Sequence, residues 1–250
     1  MITYSDVEAK VMPPEKKAEA KVDLFSYYIG RKISYLITIP LLYTNISPNT
    51  ITWLSIIMLI ISSVVLGIAK EMNMLLIGWL FFFLWNLLDG VDGNIARYKK
   101  QFTKLGDTYD TMGGYTAIAL IYLSAGIAAS HNLGFISNYL KLESEIFIIL
   151  GALSSICGLF PRLMLHKTMT SLKDFSLVSS VKGKTGKIGF IRFIATNITS
   201  ITGGATVLLF VSIIYKWLDF FTIFYFLLNL IKMVISLYLL FKSVNLGKSL

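Results

Sequence analysis

Asp89-Gly90-Val91-Asp92-Gly93-Asn94-Ile95-Ala96-Arg97, then eight residues, then Gly106-Asp107-Thr108-Tyr109-Asp110, is the stretch on which the reading of this chain turns. It puts four aspartates and an arginine between two hydrophobic runs. An ionised carboxylate within a membrane helix costs roughly 2.5–3.5 kcal/mol on insertion scales. Four in one small region require compensating charge, and divalent cations reached from the aqueous edge of a bilayer would supply it.

Composition places this stretch in a membrane. The 250 residues are 55% hydrophobic and 14% aromatic, with a mean hydropathy of +0.70. Only 15% are charged, against about 25% in a typical soluble domain. Six apolar stretches, at 50–69, 73–96, 105–130, 145–165, 188–215 and 218–241, each approach the ~20 residues that cross a bilayer core. The expected fold is all-α: an integral membrane protein of six transmembrane helices, forming one domain over residues 23–250.

Basic residues set the expected orientation. Nineteen of the 23 flank one set of ends, among them Lys10, Arg31, Arg97, Lys104, Arg162 and Arg192. Lys70, Lys141 and Lys216 fall on the other side, and Lys232 lies inside the sixth stretch. Both termini and the aspartates are therefore expected in the cytosol, in a bacterial cell membrane. The net charge of +9 reflects topology plus attraction to anionic lipid headgroups. No nucleic-acid partner is expected.

Residues 1–22 are charged, contain Pro13-Pro14 and lack the apolar core of a signal peptide, so a retained, flexible segment is expected. Residues 24–43 mix Leu24, Phe25, Tyr28, Ile29, Leu36 and Ile37 with Arg31, Lys32 and Ser34, the pattern of an amphipathic helix lying in the membrane interface. Pro48 follows, with Ser47, Asn49 and Thr50 available to cap the first span. Cys157 is the single cysteine, which excludes an internal disulfide and a cysteine metal site and leaves it as a small packing residue.

The spacing carries chemistry. Asp89 and Asp92, three apart, share a helix face, as do Asp107 and Asp110. Two antiparallel neighbouring helices would bring both pairs together. Gly90 and Gly93 remove side chains so that a ligand can approach the backbone, Ala96 keeps the surface shallow, and Arg97 offers a planar donor for phosphate oxygens. Hard oxygen ligands favour magnesium, manganese or calcium over zinc. The residues read as a site for a cation-bound polyphosphate.

Asp89-x-x-Asp92-Gly93-x-x-Ala96-Arg97-x8-Gly106-x3-Asp110 resembles the signature of the CDP-alcohol phosphotransferase family. The surrounding layout agrees: six spans, an interfacial N-terminal helix, and Pro48-Asn49-x-Ile51-Thr52 at the first span. The resemblance implies transfer of a phosphate-linked alcohol or phosphatidyl group from a CDP-activated donor to an alcohol acceptor. CMP is released, and the setting is phospholipid or glycan-lipid synthesis. It also implies two Mg2+ or Mn2+ ions held by Asp89, Asp92, Asp110 and Asp107. Gly93, Ala96, Arg97, Asn49 and Thr52 would meet the substrate, and Arg97, Asp107 and Asp110 would serve catalysis. Either partner can be the lipid, and a homodimer is left open. Basic residues of the fourth and fifth spans, here Arg162 and Arg192 with His166 nearby, are associated in the family with an acceptor pocket.

One position departs from the pattern. The family's last aspartate, taken as the base on the acceptor, should stand at 114, where this chain has Gly114. Three readings follow. Asp107 takes over as base or metal ligand; or the acceptor needs no strong base because a metal or its own acidity suffices; or transferase activity has been lost and the chain binds or scaffolds. A divalent-cation transporter is a further class, but it would place carboxylates near the bilayer midplane and often show an inverted repeat, and neither is visible here. Asn197 and Thr199 are expected to satisfy backbone groups between helices. His131 is expected in a solvated external loop, and Lys232 has no assigned role.

Overall fold

The computed structural model describes residues 2–173 and 189–245, with the side chains of residues 15, 16, 19, 191 and 192 left aside. The described chain is helical, without strands. In order it forms α1 (Tyr4–Val11), α2 (Pro14–Ala20), a π-helical turn (Ser26–Gly30) leading into α3 (Arg31–Leu42), α4 (Pro48–Ile68), α5 (Met72–Lys99) and α6 (Gly106–His131). After these come α7 (Phe135–Leu140), α8 (Glu145–Leu172), α9 (Phe190–Thr199), a second π-helical turn (Ile201–Ala205), α10 (Thr206–Ile214) and α11 (Leu218–Asn245).

Five of these helices, α4, α5, α6, α8 and α11, are long and apolar enough to cross a membrane. The expected fifth span is not straight: Phe193–Thr199 and Ile201–Ile214 meet at 56°, a single broken span if counted together. Gly203-Gly204 permits the break, and side chains from neighbouring helices satisfy the carbonyls it frees. Tyr225 donates to Ile198 O at 3.0 Å, Asn86 to Thr202 O at 2.8 Å and Trp79 Nε1 to Thr206 O at 2.8 Å. Asn197 bonds backbone as expected, but across the chain: it donates to Val22 O at 2.7 Å and accepts from Leu24 N at 2.9 Å. Asp23 beside it accepts from Ser200 Oγ.

Ser47 caps α4 by accepting from Thr50 N at 3.2 Å, with Pro48 in the first turn. The α4–α5 pair packs extensively, and Ser62 Oγ donates to Gly78 O at 2.8 Å across it. The α6–α8 crossing rests on Gly126 and Gly151, where a Cβ on residue 126 would fall 2.9 Å from Gly151 Cα. Such small-residue crossings let helix backbones approach closely in membranes. Contrary to the expectation of direct neighbours, α5 and α6 touch little; α4 packs against both, and a cleft opens between them.

Two further elements precede the spans. Along α3 the buried residues are Ser34, Tyr35, Thr38 and Leu42, whereas Leu36, and Leu24, Tyr28 and Ile29 before it, are exposed. The small polar face turns toward α5 because it has hydrogen-bond partners there, and the apolar residues point away from the protein. Within residues 1–22, expected from their charge to form a flexible segment, the structure has two short helices, α1 and α2. Thr3 and Asp6 form a capping box, which draws the Asp6 carboxyl below its ordinary range. Val7 and Val11, four apart, bury against Tyr35, Val91 and Ile95. Lys17 pairs with Glu8 at 2.7 Å.

Candidate active site

The motif occupies one end of the bundle, where the last turns of α5 face the first turns of α6. The start of α4 stands on one side and α3 on the other. Asp92 is buried at 5% exposure, and Thr52 of α4 donates to its Oδ2 at 2.5 Å. Asp89 is partly buried and leans toward α6, so that a Cβ on Gly113 would lie 3.7 Å from its Oδ1. Asp107 and Asp110 are exposed on the opposite wall.

The cleft has two chambers. The first, of about 230 Å³, contains Asp89, Asp110 and Arg97 together with Arg31, Ser34 and Asn94. The second, of about 330 Å³, contains Asp92, Asp107 and Asp110 with Asn49, Thr52 and Ala96. Gly93, Arg97 and Asp110 line both. The three-residue spacing of Asp89 and Asp92 therefore serves two adjoining chambers, and Asp110 is the carboxylate they share.

Arg97 stands at the junction. Its guanidinium lies over Gly93, where a Cβ would fall 2.9 Å from Nη2 and 3.1 Å from Nη1. Asn94 Oδ1 accepts from Arg97 Nη2 at 3.3 Å, and Asn94 Nδ2 donates to Ser34 Oγ at 3.3 Å and Thr38 Oγ1 at 3.2 Å. Arg97 Nε is buried with no partner in the protein. The clearance at Gly93 is thus filled by Arg97, although Gly93 still lines both chambers. Gly90 also has a packing role: a Cβ there would meet Ser34 Oγ at 3.2 Å. Ala96 opens onto the second chamber, as do Phe102 and Thr103 of the α5–α6 loop. Thr103 Oγ1 donates to Asn49 Oδ1 at 3.3 Å and ties that loop to α4.

Four carboxylates and the Thr52 hydroxyl give the cleft an all-oxygen donor set, suited to hard divalent ions. The only ion pair among the described residues is Lys17–Glu8, so no basic side chain pairs with any of the four. That unpaired charge fits a cation. In the present side-chain arrangement, no three His, Cys, Asp or Glu side chains among the described residues stand close enough to share one ion. A Cβ at Gly114 would meet nothing within 4 Å, so the departure from the motif leaves open space.

Other candidates fall outside this cleft. Arg162 lines a separate cleft of about 100 Å³ between α8 and α11, facing Lys232, and does not join the aspartates. His166 Nδ1 lies 3.2 Å from the Tyr115 hydroxyl. Arg192 falls in α9, but its side chain lies outside the described residues. Conversely, Arg31, Ser34, Thr38, Asn86, Asn94 and Thr202 belong to the site or its support and were not among the candidates. The small polar pair Ser34 and Thr38, four apart in an apolar helix, was the legible sign of a face turned toward protein.

The sequence model of one family, CDP-alcohol phosphatidyltransferase, matches residues 45–241, from just before α4 into α11. No curated protein matches the chain. The chain belongs to the CDP-alcohol phosphatidyltransferase family, whose name implies a CDP-alcohol donor and an alcohol acceptor in a membrane setting.

Proposed function

We propose that this protein is a membrane-embedded, divalent-cation-dependent transferase. It moves a phosphate-linked alcohol or phosphatidyl group from a CDP-activated donor to an alcohol acceptor and releases CMP, in phospholipid or glycan-lipid synthesis. The observation that carries this reading is the pair of chambers joined at Asp110, Gly93 and Arg97: one site for each substrate, with acid and guanidinium where they meet.

The second chamber suits the nucleotide. Ala96 and Phe102 offer apolar surface, Asn49 and Thr103 offer polar edges, and Asp92 and Asp107 lie beside them. Asp89, Asp92, Asp107 and Asp110 would hold one or two Mg2+ or Mn2+ ions. Such ions neutralise a pyrophosphate and the charge that develops as its anhydride bond breaks. Arg97, fixed by Asn94, donates to phosphate oxygens at the junction.

The acceptor hydroxyl oxygen forms a bond to the β-phosphorus, the anhydride oxygen leaves with its electron pair as CMP, and the hydroxyl proton passes to a carboxylate. A base must reach that hydroxyl within hydrogen-bond distance. Asp107 lines only the nucleotide chamber, which supports a donor-side part for it. Asp110, common to both chambers, stands where the proton is released. The basic residues around this end of the bundle support a cytosolic site.

The direct test is CMP release by the purified full-length protein in nanodiscs. It would be offered CDP-diacylglycerol or CDP-linked small alcohols with paired acceptors, in Mg2+ and in EDTA. Metal-dependent CMP release that needs an acceptor is the expected result; none across both donor classes would reject the reading.

A further inference from the structure

We propose that the cleft between α8 and α11 binds the phosphate of an anionic membrane lipid that is not a substrate, and that Arg162 and Lys232 hold it. The proposal stands apart from the transferase reading above, because this cleft shares no residue with the two chambers.

Both cations belong to apolar stretches, Arg162 to 145–165 and Lys232 to 218–241. Lys232 lies about 13 Å from the nearer end of its stretch, at roughly 1.5 Å per residue. Ionised side chains in such segments are costly and ordinarily pair with an opposite charge. Here two cations share one cleft of about 100 Å³, with Cys157, Pro161, Ser236 and Leu240. The helix pair that brings them together is fastened one turn away, where Asn229 Nδ2 of α11 donates to Ser154 Oγ of α8 at 3.0 Å.

Among the described residues no protein group neutralises the two. The only ion pair there is Lys17–Glu8. Glu145 and Asp219, the acids of the two helices, stand in their first turns. At roughly 1.5 Å per residue they are about 25 and 20 Å from Arg162 and Lys232 along the helices, and Asp219 is already bonded by Ser137. Asp107 and Asp110 of α6 line the other cleft. Like charges that share a cleft without a counterion repel, so an anion from outside the chain completes the site.

Size and surroundings decide which anion. The cleft is well below the ~300–1,000 Å³ of pockets for drug-sized ligands, which leaves room for a phosphate rather than a nucleotide. A guanidinium donates two parallel bonds to phosphate oxygens and an ammonium adds a point charge, with the Ser236 hydroxyl beside them. Arg162 is exposed, and so are the apolar residues next to the cleft, Phe160 and Leu163 of α8 and Ile231, Ile235 and Leu239 of α11. In membrane-spanning helices that exposure faces acyl chains, so a lipid brings the phosphate. Basic pockets between transmembrane helices take anionic headgroups in this way. Two cations favour a lipid of net negative charge over a zwitterionic one, whose ammonium they repel.

The test uses full-length protein in detergent micelles with dioleoyl-phosphatidylglycerol, dioleoyl-phosphatidylcholine or inorganic phosphate, read by native mass spectrometry and thermal unfolding. One phosphatidylglycerol per chain should be held at least about tenfold more tightly than phosphatidylcholine and should raise the melting temperature. Lys232→Met should weaken that binding about tenfold or more, the scale of a lost charged hydrogen bond. Without lipid it should melt at or above the wild type, because it removes a charge from an apolar setting. Lys232→Arg should keep the lipid. Ser236→Leu, which fills the cleft and leaves both charges, should lose it, and serves if Lys232→Met fails to fold. Equal binding of the two lipids, binding unchanged in Lys232→Met and Ser236→Leu, or equal protection by inorganic phosphate overturns the proposal. So does displacement of the lipid by CDP-dioleoylglycerol, or an acceptor KM raised in Lys232→Met at constant lipid occupancy, either of which would make the pair part of the substrate site. No lipid readout depends on turnover, so an absence of CMP release would reject the transferase reading alone.

Discussion

The guanidinium of Arg97 occupies the space that a side chain on Gly93 would fill. The two residues form one device: a glycine on α5 lets the arginine one turn later fold back along the helix and face both chambers. Asn94, bonded to Ser34 and Thr38 of α3, holds it there.

Gly93→Leu should therefore act through Arg97. Its side chain would displace the guanidinium and break the bond to Asn94, costing turnover about 100-fold or more while the protein still inserts. Arg97→Ala in the Gly93→Leu background should then add little, since coupled residues are non-additive. CMP-release kinetics on both single variants and the double variant check this. Fully additive losses would show that the two positions act separately.

The four carboxylates should not contribute alike. Asp89→Asn, Asp92→Asn and Asp110→Asn are each expected to abolish CMP release, and excess EDTA should do the same. Asp107→Asn should mainly weaken donor affinity and raise the metal concentration for half-activation, because Asp107 is exposed in the second chamber, whereas Asp92 in the same chamber is buried and held by Thr52. A loss of 10²- to 10⁴-fold in kcat with donor affinity unchanged would instead mark Asp107 as the base. Donor titrations by calorimetry beside steady-state rates distinguish the outcomes.

Thr52→Val removes the hydroxyl that donates to buried Asp92 at 2.5 Å. An unsatisfied buried acceptor costs about 1–3 kcal/mol, more when charged, so the variant should unfold at lower temperature. Divalent cations should recover part of the difference by binding the freed oxygen. Thermal unfolding in nanodiscs with Mg2+ and with EDTA measures both effects.

Gly126→Val should be damaging although it lies far from the cleft. A Cβ at 126 would strike Gly151 Cα at 2.9 Å, and overpacking of this kind costs typically 1–3 kcal/mol or more. The α6–α8 crossing would separate, lowering the yield of folded protein, whereas Gly114→Ala, with nothing within 4 Å of its Cβ, should leave stability unchanged. Size-exclusion profiles and melting curves of the two variants provide the comparison.

Much of this protein is legible in local order. Runs of apolar residues near bilayer length mark the spans, Ser47 and Pro48 mark the start of α4, and the spacing from Asp89 to Asp110 marks the carboxylates and the arginine that line one cleft. These signals survive because they depend on helical periodicity and on the energy of charge in a membrane, both properties of neighbouring residues. Tertiary structure decided the rest. Only the contact with α3 reveals that Gly90 serves packing, and only the fold of Arg97 onto Gly93 shows what that glycine accommodates. The buried polar face of α3 and the 56° break after Thr199 exist because Asn94, Asn86, Asn197 and Tyr225 supply hydrogen bonds from elsewhere in the chain. Likewise Arg162 faces Lys232 rather than the aspartates because of how α8 meets α11. Periodicity tells which residues share a face; which helix that face meets is set by pairings between residues distant in sequence.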